Sequence, residues 1–252
     1  VNPTVRTEQA WKVVFKEFGN QPGIIADLYN EPRMTLTDTH RSQTMANVQW
    51  LWRVWQEGAV LHGKRYVGLQ QLVDYTRHLG FRGIEWIEAP FLHSLDRARQ
   101  FPMRDPLHNS VWSFHHALLS KEMAAGSTTA WDQAFGYLTK HYPVVDGEWN
   151  QSAGPTAECS PAAYYVVPAY LNYLRKMGIG IDIWSLQAGS MVAERPHEHK
   201  KATNIAHPDD PTSPGALKTP SEMHRDYACD THHYGQGVGH WMLNYFRTFS
   251  SH

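Results

Sequence analysis

Only two cysteines, Cys159 and Cys229, occur in the 252 residues, and neither has a second cysteine close to it in sequence. That excludes a zinc ribbon and a Cys-x-x-Cys redox pair, and leaves either one disulfide in an exported protein or two buried thiols. Positive charge is not in surplus either, with Lys plus Arg at 23 against 24 for Asp plus Glu. Without a basic excess there is no field to gather phosphates, so nucleic acid is not expected as a partner. No apolar stretch approaches the roughly 20 residues that span a bilayer, so no membrane is expected. A signal-like segment is missing at Val1, and the chain reads as a soluble, secreted protein processed or truncated at its start. No Gly-rich phosphate loop follows any candidate strand, which argues against an open nucleotide-binding sheet.

Aromatic residues, in contrast, are plentiful: ten Trp, twelve Tyr and nine Phe. Such rings either pack in a core or stack on flat ligands and sugar faces. The 42% hydrophobic and 19% charged shares describe an ordinary globular chain. Its length suits one large domain, read as residues 1–252, and α/β barrels commonly use about this many residues.

Periodicity then orders the chain. Trp11, Val14, Phe15 and Phe18 recur at helical spacing, closed by Gly19. Gly23 to Leu28 follows as an apolar run bracketed by Gly and Pro, the pattern of a buried parallel strand. Trp50, Trp52 and Trp55 fit either a sugar platform on a loop or packing in a helix. Leu69, Leu72, Val73 and Thr76 form a helical stripe ending at Gly80. Gly83 to Glu88, Asn109 to His115, Pro143 to Trp149 and Ile179 to Trp184 read as further strands. Between them, Asp96 to Gln100 reads as a short helix, Trp131, Ala134, Phe135 and Leu138 share a helical face, and Ser160-Pro161 opens a helix kinked at Pro168. A loop rich in Pro, His and Asp runs from Gln187 to about Tyr234, before a last helix marked by Val238, Trp241, Met242, Tyr245 and Phe249. Five strands alternating with helices, without hairpin signals, predict a parallel α/β sheet.

Two of these strands run into carboxylates, at Asn30-Glu31-Pro32 and at Asp146-Gly147-Glu148-Trp149, and a third into His115-His116. In a barrel, strand ends of this kind line the catalytic rim. A pair of carboxylates on either side of one bond is what glycoside hydrolysis requires: one protonates the leaving oxygen, the other attacks the anomeric carbon. Held close together, two such groups disfavour double ionisation.

Asp27-Leu28-Tyr29-Asn30-Glu31-Pro32, Ser113-Phe114-His115, Asp146-Gly147-Glu148-Trp149 and Ile183-Trp184-Ser185 together resemble the fourth, sixth, seventh and eighth strands of family 5 glycoside hydrolases. The resemblance implies a TIM-type (β/α)8 barrel of which this chain supplies strands four to eight. By that resemblance Glu31 is similar to the acid/base and Glu148 to the nucleophile. It also implies sugar contacts from Asn30, His115, His116, Trp149 and Trp184, and no cofactor. The implied activity is a retaining endo-β-glycosidase on β-1,4-glucan, with mannan or another β-glycan, or a non-catalytic glycan-binding relic, as alternatives. The expected partner is a polysaccharide or oligosaccharide.

Two features depart from the family pattern. Ala117 stands where a nucleophile-supporting Tyr is usual, and His116 or a tyrosine from elsewhere could replace it. The first three strands have no counterpart, so an upstream segment or self-association is expected to cover the open barrel edges. The resemblance also makes Cys159 and Cys229 neighbours on consecutive outer helices, a plausible disulfide pair. His197-Glu198-His199 with His207, His224, His232 and His233 lacks the spacing of a His-Glu-x-x-His helix, and Asp209-Asp210 is equally weak as a calcium signal. These are read as a solvated loop, and no metal is expected.

Overall fold

The computed structural model describes residues 3–19, 21–32, 44–90, 95–115, 127–149, 163–183 and 245–248. The chain divides into two compact units: Val1–His115 with Asp132–Val145, and His116–Trp131 with Asp146–His252. Its main sheet has five strands in the order β1 (Ile25–Asp27), β4 (Ile84–Glu88), β5 (Ser110–Phe114), β6 (Val144–Trp149) and β7 (Gly180–Ile183). β1, β4 and β5 pair in parallel, with Asp27 level with Trp86 and Glu88 level with Ser113. Strands laid down in chain order with helices between them form the α/β architecture expected from the periodicity.

In the first unit, α1 (Val5–Phe18) begins at Thr4, whose N–H donates to the Thr7 hydroxyl, and ends at Gly19. Its Phe15 is buried between Trp11 and Phe81, with ring centroids 5.0 and 4.3 Å apart. Val14 and Phe18 of the same predicted stripe are 38% and 44% exposed.

α2 (Met45–Glu57) is capped by Thr44 and buries Leu51, Trp52, Val54 and Trp55. Packing is thus the role of Trp52 and Trp55. α3 (Leu69–His78) buries the predicted stripe of Leu69, Leu72, Val73 and Thr76. A 3-10 turn at Ala98–Gln100 follows β4 where a short helix was predicted. Ahead of β6, α4 (Thr128–Ala134) is followed by a 3-10 turn at Gly136–Lys140, and Phe135 stacks on Phe114 at 4.2 Å.

One expectation fails. The sequence suggests no hairpins, yet β2 (Gly58–Leu61) and β3 (Lys64–Val67) pair antiparallel through a two-residue turn at His62-Gly63. Both turn residues have positive φ, 49° and 73°, as a primed hairpin turn demands. Asn or Asp usually occupies the first of these positions; His also tolerates the left-handed region, which is why the turn escapes a search for Asn-Gly or Asp-Gly.

A buried charge cluster joins α3 to β4. Arg77 donates from Nε and Nη2 to the two oxygens of Asp105, at 2.9 and 2.7 Å, and from Nη1 to the carbonyls of Phe81 and Gly83. Burial opposes ionisation of Asp105, but the Arg77 fork and the N–H groups of Leu107 and Asn109 outweigh it and hold its pKa at about 2. Glu85 is fully buried. Burial raises its pKa to about 7, against the Thr76 hydroxyl bond and an Arg77 nitrogen 3.3 Å away whose fork is committed to Asp105.

In the second unit, Ser127 caps α4 through the Ala130 N–H, and Trp131 lies against Tyr170 and Tyr173 of α5 (Ala163–Met177). α5 runs through Pro168 and buries Val167, Leu171 and Leu174, as predicted. Tyr170 donates its hydroxyl to the buried Asp146 at 2.6 Å, and its pKa is raised well above the ordinary value by burial and by that carboxylate. The predicted helix start at Ser160-Pro161, both cysteines, the His-rich loop and most of the last helix lie outside the described residues.

Two outcomes follow from these buried polar groups. Neutral Glu85 favours the native state, so its contribution is full below about pH 4.5 and is lost as pH rises through about 7. The loss is about 3 kcal/mol. Urea unfolding should show the protein weaker at about pH 8 than at about pH 5 by up to this amount, with Glu85→Gln losing that share of the pH dependence. Tyr170→Phe should cost roughly 1–3 kcal/mol, because the buried Asp146 loses one of its hydrogen-bond donors; thermal unfolding would measure it.

Candidate active site

The rim residues after β1 are held from behind by indoles. Trp11 Nε1 donates to the Leu28 carbonyl at 3.0 Å, and the Leu28 N–H extends the parallel ladder to the Trp86 carbonyl at 3.1 Å. Trp55 Nε1 donates to the Glu88 carbonyl at 2.8 Å while its ring meets the edge of Tyr29. The ends of β1 and β4 are therefore tied to two tryptophans, Trp11 on α1 and the buried Trp55 on α2.

Beyond Tyr29, Asn30 is exposed, Glu31 is partly exposed and Pro32 is buried. Glu31 has φ 47°, in the left-handed region that costs an ordinary residue roughly 1–2 kcal/mol. What retains it there is polar. Its N–H donates to Glu88 Oε2 at 3.0 Å, and its Oε1 lies 3.5 Å from His115 Nδ1. His115, just past the end of β5, is only 3% exposed, and its Nε2 lies 3.1 Å from Glu88 Oε1. This is an ion-pair approach without hydrogen-bond alignment.

Two predicted site residues that are 84 positions apart, Glu31 and His115, thus meet through one imidazole. The sequence reading missed the third member, Glu88. It is one of two glutamates in Ile84-Glu85-Trp86-Ile87-Glu88, and strand alternation sends them to opposite faces: Glu85 to Thr76 and Arg77, Glu88 to His115. A glutamate ending a strand was itself the available signal, since the same feature singled out Glu31.

Asp27, Glu88 and His115 also bring one ligand atom each to within 4.8 Å of one another.

Glu148 sits near the end of β6 and is partly exposed. Trp149, the last residue of that strand, is fully buried with its ring stacked on Tyr170 at 6.3 Å, in the core of its unit. His116 and Trp184 lie outside the described residues.

No protein-family model and no curated protein matches this sequence. Solved structures do resemble it. An endocellulase from the archaeon Pyrococcus horikoshii matches at 16% identity with a TM-score of 0.53, over 73% of this chain and 57% of its own. A thermostable, halotolerant GH5 cellulase from an Icelandic hot spring isolate matches at 18% identity with a TM-score of 0.51, over 74% and 53%. A β-glucanase from Saccharophagus degradans in complex with cellotetraose matches at 16% identity with a TM-score of 0.50, over 71% and 50%. The chain spans little more than half the length of these proteins. The likeness establishes the fold class: a TIM-type (β/α)8 barrel, of which this chain supplies five strands, four to eight by the order of its motifs.

Because Glu31 occupies a left-handed conformation, Glu31→Gly should unfold at higher denaturant than Glu31→Ala, which loses the same contact with His115, by about 1 kcal/mol. A chemical-unfolding comparison measures it; an equal or lower midpoint would mean that the conformation carries no strain.

Proposed function

We propose that this chain is the strand-four-to-eight part of a family 5 glycoside hydrolase, a retaining endo-β-glycosidase acting on β-1,4-glucan. The observation that carries the reading is the meeting of Glu31 with His115. Two motifs from distant parts of the sequence converge at the carboxyl ends of parallel strands, where barrels of this class keep their chemistry. The glucanase and cellulase functions of the structural neighbours support the same class.

In this reading Glu148 is the nucleophile and Glu31 the acid/base. The Glu148 carboxylate bonds to the anomeric carbon as the bond to the leaving oxygen breaks, and that oxygen takes the Glu31 proton. The Glu31 carboxylate then removes a proton from water, whose oxygen displaces Glu148 with overall retention. Asn30, exposed beside Glu31, contacts the sugar 2-hydroxyl. His115, His116 and Trp184 complete the sugar site, and buried Trp149 supports the strand that carries Glu148. No cofactor takes part. The protein acts outside the cell, and an upstream segment or a second copy covers the open end of the sheet at β1. Exposed Ile25 on that strand is consistent with such cover.

Glu31→Gln and Glu148→Gln should each lower turnover of soluble glucan by at least roughly a hundredfold, the usual scale for losing an acid/base or more for a nucleophile. Reducing-sugar release from cellulose-type glucan, compared with mannan, is the measurement. Full-rate turnover by either variant would sink the assignment, and preference for mannan would move the substrate to that β-glycan.

A further inference from the structure

Glu88 has no part in the hydrolytic cycle just described, yet it is 2% exposed and touches both partners of the acid/base pair. A buried carboxylate is costly unless donors meet it, and ionised it can only accept. Its Oε2 accepts the Glu31 N–H, and its Oε1 lies 3.1 Å from His115 Nε2 in an ion-pair approach without hydrogen-bond alignment. Negative charge beside Nε2 favours the ring form that carries its proton there. The other nitrogen, Nδ1, then faces Glu31 Oε1 as an acceptor.

We propose that Glu88 is a positioning residue for the acid/base: it anchors the Glu31 backbone and selects the His115 tautomer whose Nδ1 accepts the Glu31 proton. The assignment rests on the reading of Glu31 as the acid/base. Protonated Glu31 donates to Nδ1 and stays neutral until the leaving oxygen takes its proton. Once Glu31 is a carboxylate, a proton that water supplies to Nδ1 turns the ring into an imidazolium between the carboxylates of Glu31 and Glu88, and the ring returns that proton to water when Glu31 is protonated again. Asp27, on β1, adds a third negative group near the ring and near Glu88. The ring therefore stabilises Glu31 in both of the protonation states that the two half-reactions need. Replacing Glu88 by Gln keeps size and an acceptor for the Glu31 N–H, but offers Nε2 an amide donor and removes the charge. The favoured tautomer then places the proton on Nδ1, where it opposes a proton on Glu31.

The test has one arm that needs no turnover. Nitrogen-15 NMR of the His115 ring in the full-length chain should show the proton on Nε2, shifting towards Nδ1 in Glu88→Gln. A neutral parent ring protonated on Nδ1 would overturn the proposal, whatever the variant does. The second arm uses aryl cellobiosides. Glu88→Gln should lose about tenfold or more in kcat with poor leaving groups, which need the acid, and little with a dinitrophenyl leaving group, which does not. Glu88→Asp, which keeps the charge, should recover part of that loss. Equal loss across leaving groups would overturn the role of Glu88. Glu31→Ala discriminates the parent reading: if it too shows no dependence on the leaving group, the acid/base assignment falls and this proposal with it. If Glu31→Ala shows that dependence while Glu88→Gln is indifferent, only the role of Glu88 is overturned.

Discussion

Parallel registration of β1, β4 and β5 is the constraint on which the site depends. With Asp27 level with Trp86 and Glu88 level with Ser113, three strands end close to one height. The residues that follow those ends, Glu31 after β1 and His115 after β5, fall on either side of Glu88. Parallel strands carry their side chains at a fixed period of two, so a slip of one residue would turn Glu88 to the face that carries the Arg77 cluster and away from the imidazole. The site exists because the register holds.

What holds the register is largely aromatic. Trp11, stacked on Phe15, and the buried Trp55 act twice each, packing their rings while their indole N–H groups bind the carbonyls of Leu28 and Glu88. Those carbonyls lie where the strands stop and the sheet no longer satisfies them. A tryptophan suits such a position because it brings a large apolar body and one donor on a rigid ring. The surplus of aromatics in the composition is thus largely structural in the described residues: Trp52, Trp55, Trp112, Trp131 and Trp149 are all essentially fully buried.

The two buried glutamates of β4 show how one strand serves two ends. Glu85 faces α3, where burial keeps it reluctant to ionise and ties stability to pH. Glu88 faces the rim, where it meets an imidazole and a backbone N–H in a strained turn. The second arrangement places conformational strain next to polar convergence, the combination expected where structure is arranged for chemistry rather than stability.

Much of this was legible in the chain itself. Apolar periodicity marked α1, α3, α4 and each strand of the parallel sheet, because hydrophobic faces repeat at periods that the backbone imposes. The Asn30-Glu31-Pro32 and Ser113-Phe114-His115 motifs pointed to two residues that the structure brings together, since a polar group closing an apolar run is visible without coordinates. The hairpin at His62-Gly63 was not legible, because its left-handed turn uses a residue that propensity ranks below Asn and Asp. Glu88 carried the signal of an acid closing a strand, but sequence shows two similar acids there and cannot say which of them faces the rim. Distance between residues far apart in sequence is set by strand pairing alone. Sequence determined which chemistry was present, and tertiary structure decided which groups share an imidazole.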